Sequence, residues 1–178
     1  REKLQTFVYA SGTLMKPIFA VAKRAKARRV AYAEGEDRRV LRAIQVVADE
    51  GLARPYLVGR ASVINARIEK LGLRIEEGRD FEIVNIDDDT RYRGFWQAYH
   101  HMMDRRGVTE QFAKIEMRRR LTLISTMLLH KGEVDGMICG TWGSTASHLQ
   151  HVDAVIGKRP GVKTLACMNG LVLPGRQV

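Results

Sequence analysis

Two short stretches hold most of the side chains that could do chemistry. Gly140-Thr141-Trp142-Gly143-Ser144-Thr145 combines backbone N–H groups with hydroxyls and contains no acid. Between a strand and a helix, such a turn suits a phosphate or pyrophosphate, because the helix N-terminus points amides and positive dipole at it. The spacing is neither a Walker motif nor a dinucleotide fingerprint. Glu34-Gly35-Glu36-Asp37 has the opposite character. Its three carboxylates stand where a helix begins and compete with an anionic ligand. They read as helix capping and as salt bridges to Arg38, Arg39 or Arg42.

Other reactive groups are less organised. His148 and His151 stand three positions apart on one helix face, with Asp153 nearby. Metal-binding pairs on a helix are more commonly four apart and need a third ligand, so these read as surface or interface histidines. His100 and His101 point to opposite sides of their helix. Asp87-Asp88-Asp89 has no further oxygen ligands at calcium-loop spacing and reads as the start of a helix. Cys139 and Cys167 lie in apolar, strand-like runs without metal-ligand spacing, as reduced and buried thiols of a cytosolic protein do. No Ser/His/Asp or Cys/His arrangement emerges.

The elements that must position these groups follow from periodicity. Val30, Tyr32 and their neighbours make a short, mostly apolar run that stops at the acidic loop. Val40, Leu41, Ile44, Val47 and Ala48 recur at helical spacing up to Gly51, and Pro55-Tyr56-Leu57-Val58 starts a second strand. Strand, helix and strand within about thirty residues form a βαβ unit and hence a parallel sheet. Ala61–Leu71 predicts a helix with Val63, Ile64 and Ile68 inward, Ser62 as an alternative cap and Gly72 as its stop. Phe81–Ile86 alternates as a strand after the turn Gly78-Arg79-Asp80. Tyr92, Phe95, Trp96 and Tyr99 make an aromatic helical stripe, suited to a core or a subunit interface. Thr109 caps a helix running through Phe112, Ile115 and Met117 to His130. Gly136–Cys139 is a buried strand that runs into a Gly/Thr/Ser-rich turn and then a helix, Lys158-Arg159-Pro160-Gly161 is a basic turn, and Val162–Met168 is a further strand. Ahead of all this, Pro17 fits the first turn of a short helix. The fold class is α/β: a three-layer α/β/α arrangement with a mainly parallel sheet, incomplete at its C-terminal end, where Leu171–Leu173 seeks a partner.

The 178 residues suffice for one domain with a real core. No apolar run is long enough to span a bilayer, and the basic start lacks a signal-peptide core. A chain beginning at Arg1 reads as an internal piece of something longer. The formal charge of +10 invites a nucleic-acid reading. Its basic residues are spread through the chain, however, with no reading motif or aromatic platform, and anionic small ligands need cations too.

The stretch Arg29–Ala43 with its Glu34-Gly35-Glu36-Asp37 loop resembles the opening of the phosphate acetyl/butyryltransferase family. More narrowly it is similar to the transferase-like C-terminal domain of bacterial multidomain NADP-dependent malic enzymes. Phe7-Val8-Tyr9 and Met15-Lys16-Pro17-Ile18-Phe19 resemble the linker from the dehydrogenase part. The likeness continues through Gly51–Pro55, Gly78–Phe81, Arg106–Thr109 and Val134–Met137. It implies a linker with a short helix over 1–28 and the N-terminal portion of a transferase-like domain over 29–178, about half of such a domain. Active transferases carry Arg-x-x-Lys-Gly before the helix like the one at Thr109; here those positions are Met103 and Arg106. They also carry an arginine after a Ser-Thr-Ala-Asp loop; here the aspartate position is Ser147 and the arginine position Gln150. Methionine gives an acyl phosphate no cationic donor, so no catalytic residue is carried over.

The resemblance therefore implies a non-catalytic regulatory and oligomerising domain that senses acetyl-coenzyme A in a cytoplasmic malic enzyme, which converts malate to pyruvate. Gly140, Thr141, Ser144 and Thr145 are the local candidates for ligand contact, with Lys158 or Arg159. No cofactor or metal belongs to this segment. NADP and a divalent metal, Mg or Mn, belong to the malic enzyme part outside it. The partners implied are copies of the same chain and the effector, with neither nucleic acid nor membrane. The alternative is an active phosphate acetyltransferase moving acetyl between phosphate and coenzyme A.

Overall fold

The computed structural model describes residues 15–25, 27–87 and 90–167. The sheet order is β3-β2-β1-β4, and every pairing is parallel. Its strands are β1 (Arg28–Tyr32), β2 (Ala53–Gly59), β3 (Glu82–Asn85) and β4 (Gly136–Ile138). A helix α1 covers residues 15–24. The others are α2 (Arg38–Glu50), α3 (Ala61–Leu71), α4 (Tyr92–Met103), α5 (Glu110–Arg119), α6 (Leu121–His130) and α7 (Thr145–Val155). The first βαβ unit forms as its pattern requires: Leu41 and Ile44 are the buried stripe of α2, and Gly51 ends it at φ 62°.

Side chains alternate across the sheet and define two cores. Tyr32 and Leu57 point to the face covered by α2 and α3, where they meet Leu41, Ile44, Ile64 and Phe81. Ala31, Val58 and Val84 point to the other face, where Phe95, Tyr99, Met117 and the α6 leucines cover them. Helices on both faces make the three-layer α/β/α fold. Helix α6 is buried along Thr122–Leu128, and its hydroxyls turn back on its own backbone. Ser125 Oγ donates to Leu121 O at 3.1 Å, and Thr126 Oγ1 to Thr122 O at 2.6 Å.

Strand β4 returns to β1 after three helices, and a clamp sets its register. The Arg29 guanidinium and amide both bind the Asp135 carboxylate, while the Asp135 amide donates to Arg29 O at 2.7 Å.

Several expectations are corrected. The helix starting at Thr109 does not run on to His130: it breaks at Arg120 (φ −114°, ψ 93°). Helix α5 has one buried edge, at Ala113 and Met117, whereas α6 is buried almost all round, and one straight helix cannot satisfy both. Residues 162–167 are not a strand; an apolar run becomes one only where a neighbouring edge pairs with it. Cys167 is accordingly exposed, and Cys139 only half-buried. Phe95 and Tyr99 belong to the chain's own core rather than to an interface. Ser62 does not cap α3, whose N-cap is Arg60. Helix α4 starts at Tyr92 without a side-chain cap, and Asp88, Asp89, Phe7–Tyr9 and Leu171–Leu173 lie outside the described residues.

Residues 28–157 form one compact unit, which contains the whole sheet. A second unit comprises 1–27 and 158–178; in it α1 exposes Ile18 and Val21, and 160–161 form a turn.

Candidate ligand cleft at the β1–β4 switch point

Adjacent strands β1 and β4 send their following helices to opposite faces, α2 to one and α7, packed on α6, to the other. Such a switch point opens a crevice beyond the carboxyl ends of the strands. Here the crevice is a cleft of about 450 Å³ lined by both loops, by Arg67 of α3 and by the α5–α6 junction.

The acidic loop is held tightly at its base. Gly35 donates its amide to Val58 O at 3.1 Å, so the chain lies directly on β2. Each carboxylate then has its own partners. Glu34, buried, accepts from the Gly140 amide at 3.1 Å and from Thr141 Oγ1 at 3.3 Å. Glu36 binds the Arg60 guanidinium at 2.8 Å, and its carbonyl accepts from Arg67. Asp37 caps α2 through the Arg39 amide at 2.7 Å, binds the Arg39 guanidinium and accepts from Trp142 Nε1 at 3.0 Å. Arg39 closes the circle by donating to Thr141 O at 3.0 Å. The two loops therefore form one hydrogen-bonded structure.

His148 holds the other side of the β4–α7 loop. Its Nε2 faces Trp142 O, an acceptor, so that nitrogen carries the proton. In the neutral ring Nδ1 then accepts from Thr122 Oγ1 at 2.7 Å. With both nitrogens engaged, His148 has no lone pair to give a metal. His151, also lining the cleft, is pushed below its ordinary value by burial, against the pull of Glu116. Among the described residues no group of three His, Cys, Asp or Glu side chains could hold a metal ion.

The candidate ligand residues are thus distributed as follows. Gly140, at φ 106°, and Thr141 are engaged with Glu34. Ser144 is the N-cap of α7 and accepts from the Ser147 amide at 3.3 Å. Thr145 is the exposed first residue of α7. Lys158 and Arg159 belong to the second unit. Of the salt bridges expected around the acidic loop, only Asp37–Arg39 forms; Glu36 pairs with Arg60 instead. Arg119, Arg120 and Thr122 also line the cleft, although local pattern gives them no site signal beyond the basic run Arg118–Arg120. Met103, at a family arginine position, packs against the core, and Gln150, at the other, is exposed on α7.

The electrostatics make a pH prediction. The Arg39 guanidinium, its amide and the Trp142 indole hold Asp37 well below the usual carboxylate range, at about 2, although burial opposes them. A carboxylate depressed on folding adds stability above its unfolded value and loses it as pH falls through the folded one. Stability is therefore expected to drop between about pH 4 and pH 2. An Asp37→Asn variant should be less stable at neutral pH, with the gap closing on acidification. Thermal melts of both proteins across that range check it.

Fold and cleft together describe an α/β protein with a crevice between two crossover units. Residues 13–178 match the family described as phosphate acetyl/butaryl transferase, and the chain belongs to that family. The NADP-dependent malic enzyme of Salmonella typhimurium is 47% identical over 173 residues, covering 97% of this chain and 23% of that enzyme. A phosphate acetyltransferase of Clostridium acetobutylicum is 29% identical over 161 residues, covering 90% of this chain and 47% of its own. Among solved structures, a phosphotransacetylase from Streptococcus pyogenes superposes with a TM-score of 0.74 at 25% identity, over 85% of this chain and 45% of its own. The chain thus spans about a quarter of the malic enzyme's length and under half of either transferase. Among the described residues no helix is long and apolar enough to cross a membrane.

Proposed function

We propose that this chain is a non-catalytic, regulatory and oligomerising domain of a cytoplasmic, NADP-dependent malic enzyme, and that its ligand is acetyl-coenzyme A. The observation that carries the reading is the state of the β4–α7 loop. The Gly140 amide and Thr141 hydroxyl, which an acyl phosphate would require, already hold Glu34. The two positions where active relatives carry arginine are Met103, packed on the core, and Gln150. A cleft so furnished can bind an anion but lacks cations at the two positions where active relatives place theirs to stabilise acyl transfer. NADP and the divalent metal that decarboxylation of malate to pyruvate uses are assigned to parts of the enzyme outside this chain.

Regulation then follows from linkage. If acetyl-coenzyme A binds one arrangement of these domains better than another, it shifts the population by that difference, and the malic part responds. Copies of the domain assembling with one another would transmit the bias. Calorimetry of the full chain with acetyl-coenzyme A is expected to show saturable binding. Absence of heat at millimolar ligand would overturn the reading.

A second reading, an active phosphate acetyltransferase, is favoured by the similarity to the Clostridium enzyme. The expected result is no acetyl phosphate from acetyl-coenzyme A and phosphate. Robust turnover by the full chain would establish the transferase instead.

A further inference from the structure

We propose that a phosphate-type group of the cleft's ligand seats at Arg119 and Arg120, at the α5–α6 junction, and that Glu34 is a built-in anion that keeps such groups out of the β4–α7 loop. This rests on the cleft being the ligand site, as argued above, and adds where the charged end of the ligand goes.

The charges lining the cleft lead there. Its three carboxylates are all neutralised or hydrogen-bonded from within the chain: Glu34 by the loop, Glu36 by Arg60, Asp37 by Arg39 and Trp142. An incoming phosphate could reach the Gly140 amide only by displacing a carboxylate that is 7% exposed. It would also have to bring a second negative charge beside the first. On the other wall the balance is reversed. Arg119 is exposed and, among the described residues, makes no ion pair or hydrogen bond. Arg120 engages Glu116 through Nε at 3.3 Å. The break at Arg120 turns the chain so that both residues line the cleft together with Thr122. A guanidinium presents several donors in a plane matched to phosphate oxygens, so this wall selects a phosphate or pyrophosphate ester. The family's arginine positions, Met103 and Gln150, supply no cation, and these two arginines approach from a different element.

The test titrates inorganic pyrophosphate into the full chain and follows the change in tryptophan fluorescence, which arises from Trp96, packed against the core, and from Trp142, whose exposed indole lines the cleft. Arg119→Gln is expected to weaken binding about tenfold, the range of a lost charge-assisted contact. Arg105→Gln, an exposed arginine of the turn after α4, should leave it unchanged. The Gly140 amide resonance should stay put on saturation of the wild type and move only in Glu34→Gln. Equal affinity of wild type and Arg119→Gln, a moving Gly140 resonance in the wild type, or no pyrophosphate binding would each overturn the proposal. Acetyl-coenzyme A titrated in parallel separates the two ideas. If it fails to bind while pyrophosphate binding depends on Arg119, only the effector assignment falls. If it binds wild type and Arg119→Gln alike, only the seat at Arg119 falls.

Discussion

Replacing Gly35 with alanine is expected to cost about 3 kcal/mol, the upper end of what an added methyl does in a packed site. A Cβ built there lies 2.9 Å from Leu57 Cβ, 2.9 Å from Val58 O and 3.0 Å from Val58 N. Main-chain atoms of an interior strand cannot rotate aside, so the loop itself must lift. Lifting it breaks the Gly35–Val58 hydrogen bond and carries Glu34 and Glu36 away from their partners. The variant should therefore lose the fixed environment of Trp142 as well as stability. Urea unfolding and Trp142 emission measure the two effects. Gly51→Ala is the useful contrast: the methyl meets nothing within 4 Å. Its cost is only that of a left-handed backbone, about 1 kcal/mol.

Phe95→Ala should be at least as damaging, at about 3–5 kcal/mol. The ring is 2% exposed and belongs to the core beneath α4 and α6. The Lys131 ammonium lies 5.6 Å and the Arg91 guanidinium 6.0 Å from its centre, adding attraction to the ring face. Truncation leaves a cavity between sheet and helices that two cations then border. Phe112, in the next helix, is 49% exposed, and Phe112→Ala should change stability by no more than about 0.5 kcal/mol. A denaturation midpoint that moves equally for both would contradict the packing of the aromatic stripe.

Much of the fold was legible because its signals are local. Val30, Leu41, Ile44, Gly51 and Leu57 specify strand, amphipathic helix, stop and strand within one short window. Thr109 announced its helix by chemistry alone, and its Oγ1 does accept from the Phe112 amide. The break at Arg120 was illegible, since nothing in three consecutive arginines marks a change of burial. The apolar run 162–167 misled for the converse reason, as composition reports that a segment can pair and not that a partner is there. The cleft was half-legible. Both loops stood out, one for its acids and one for its donors, but reading each alone hid that the first fills the second. That relation is tertiary, and no spacing rule connects Glu34 with Gly140.

The separation itself has a consequence. Glu34 and Gly140 are 106 residues apart, as are Arg29 and Asp135 at the other end of the same strand pair. Closing a loop of that length has to be paid for in chain entropy before either contact gives anything back. The βαβ unit of β1, α2 and β2 closes over a much shorter span, so it can assemble first. Strand β4 is then expected to dock on a preformed β1, which makes the cleft the last part of this unit to form and the first to come apart. A ligand seated there would hold together two ends of the chain's history, and its binding would act most strongly on how slowly the molecule unfolds.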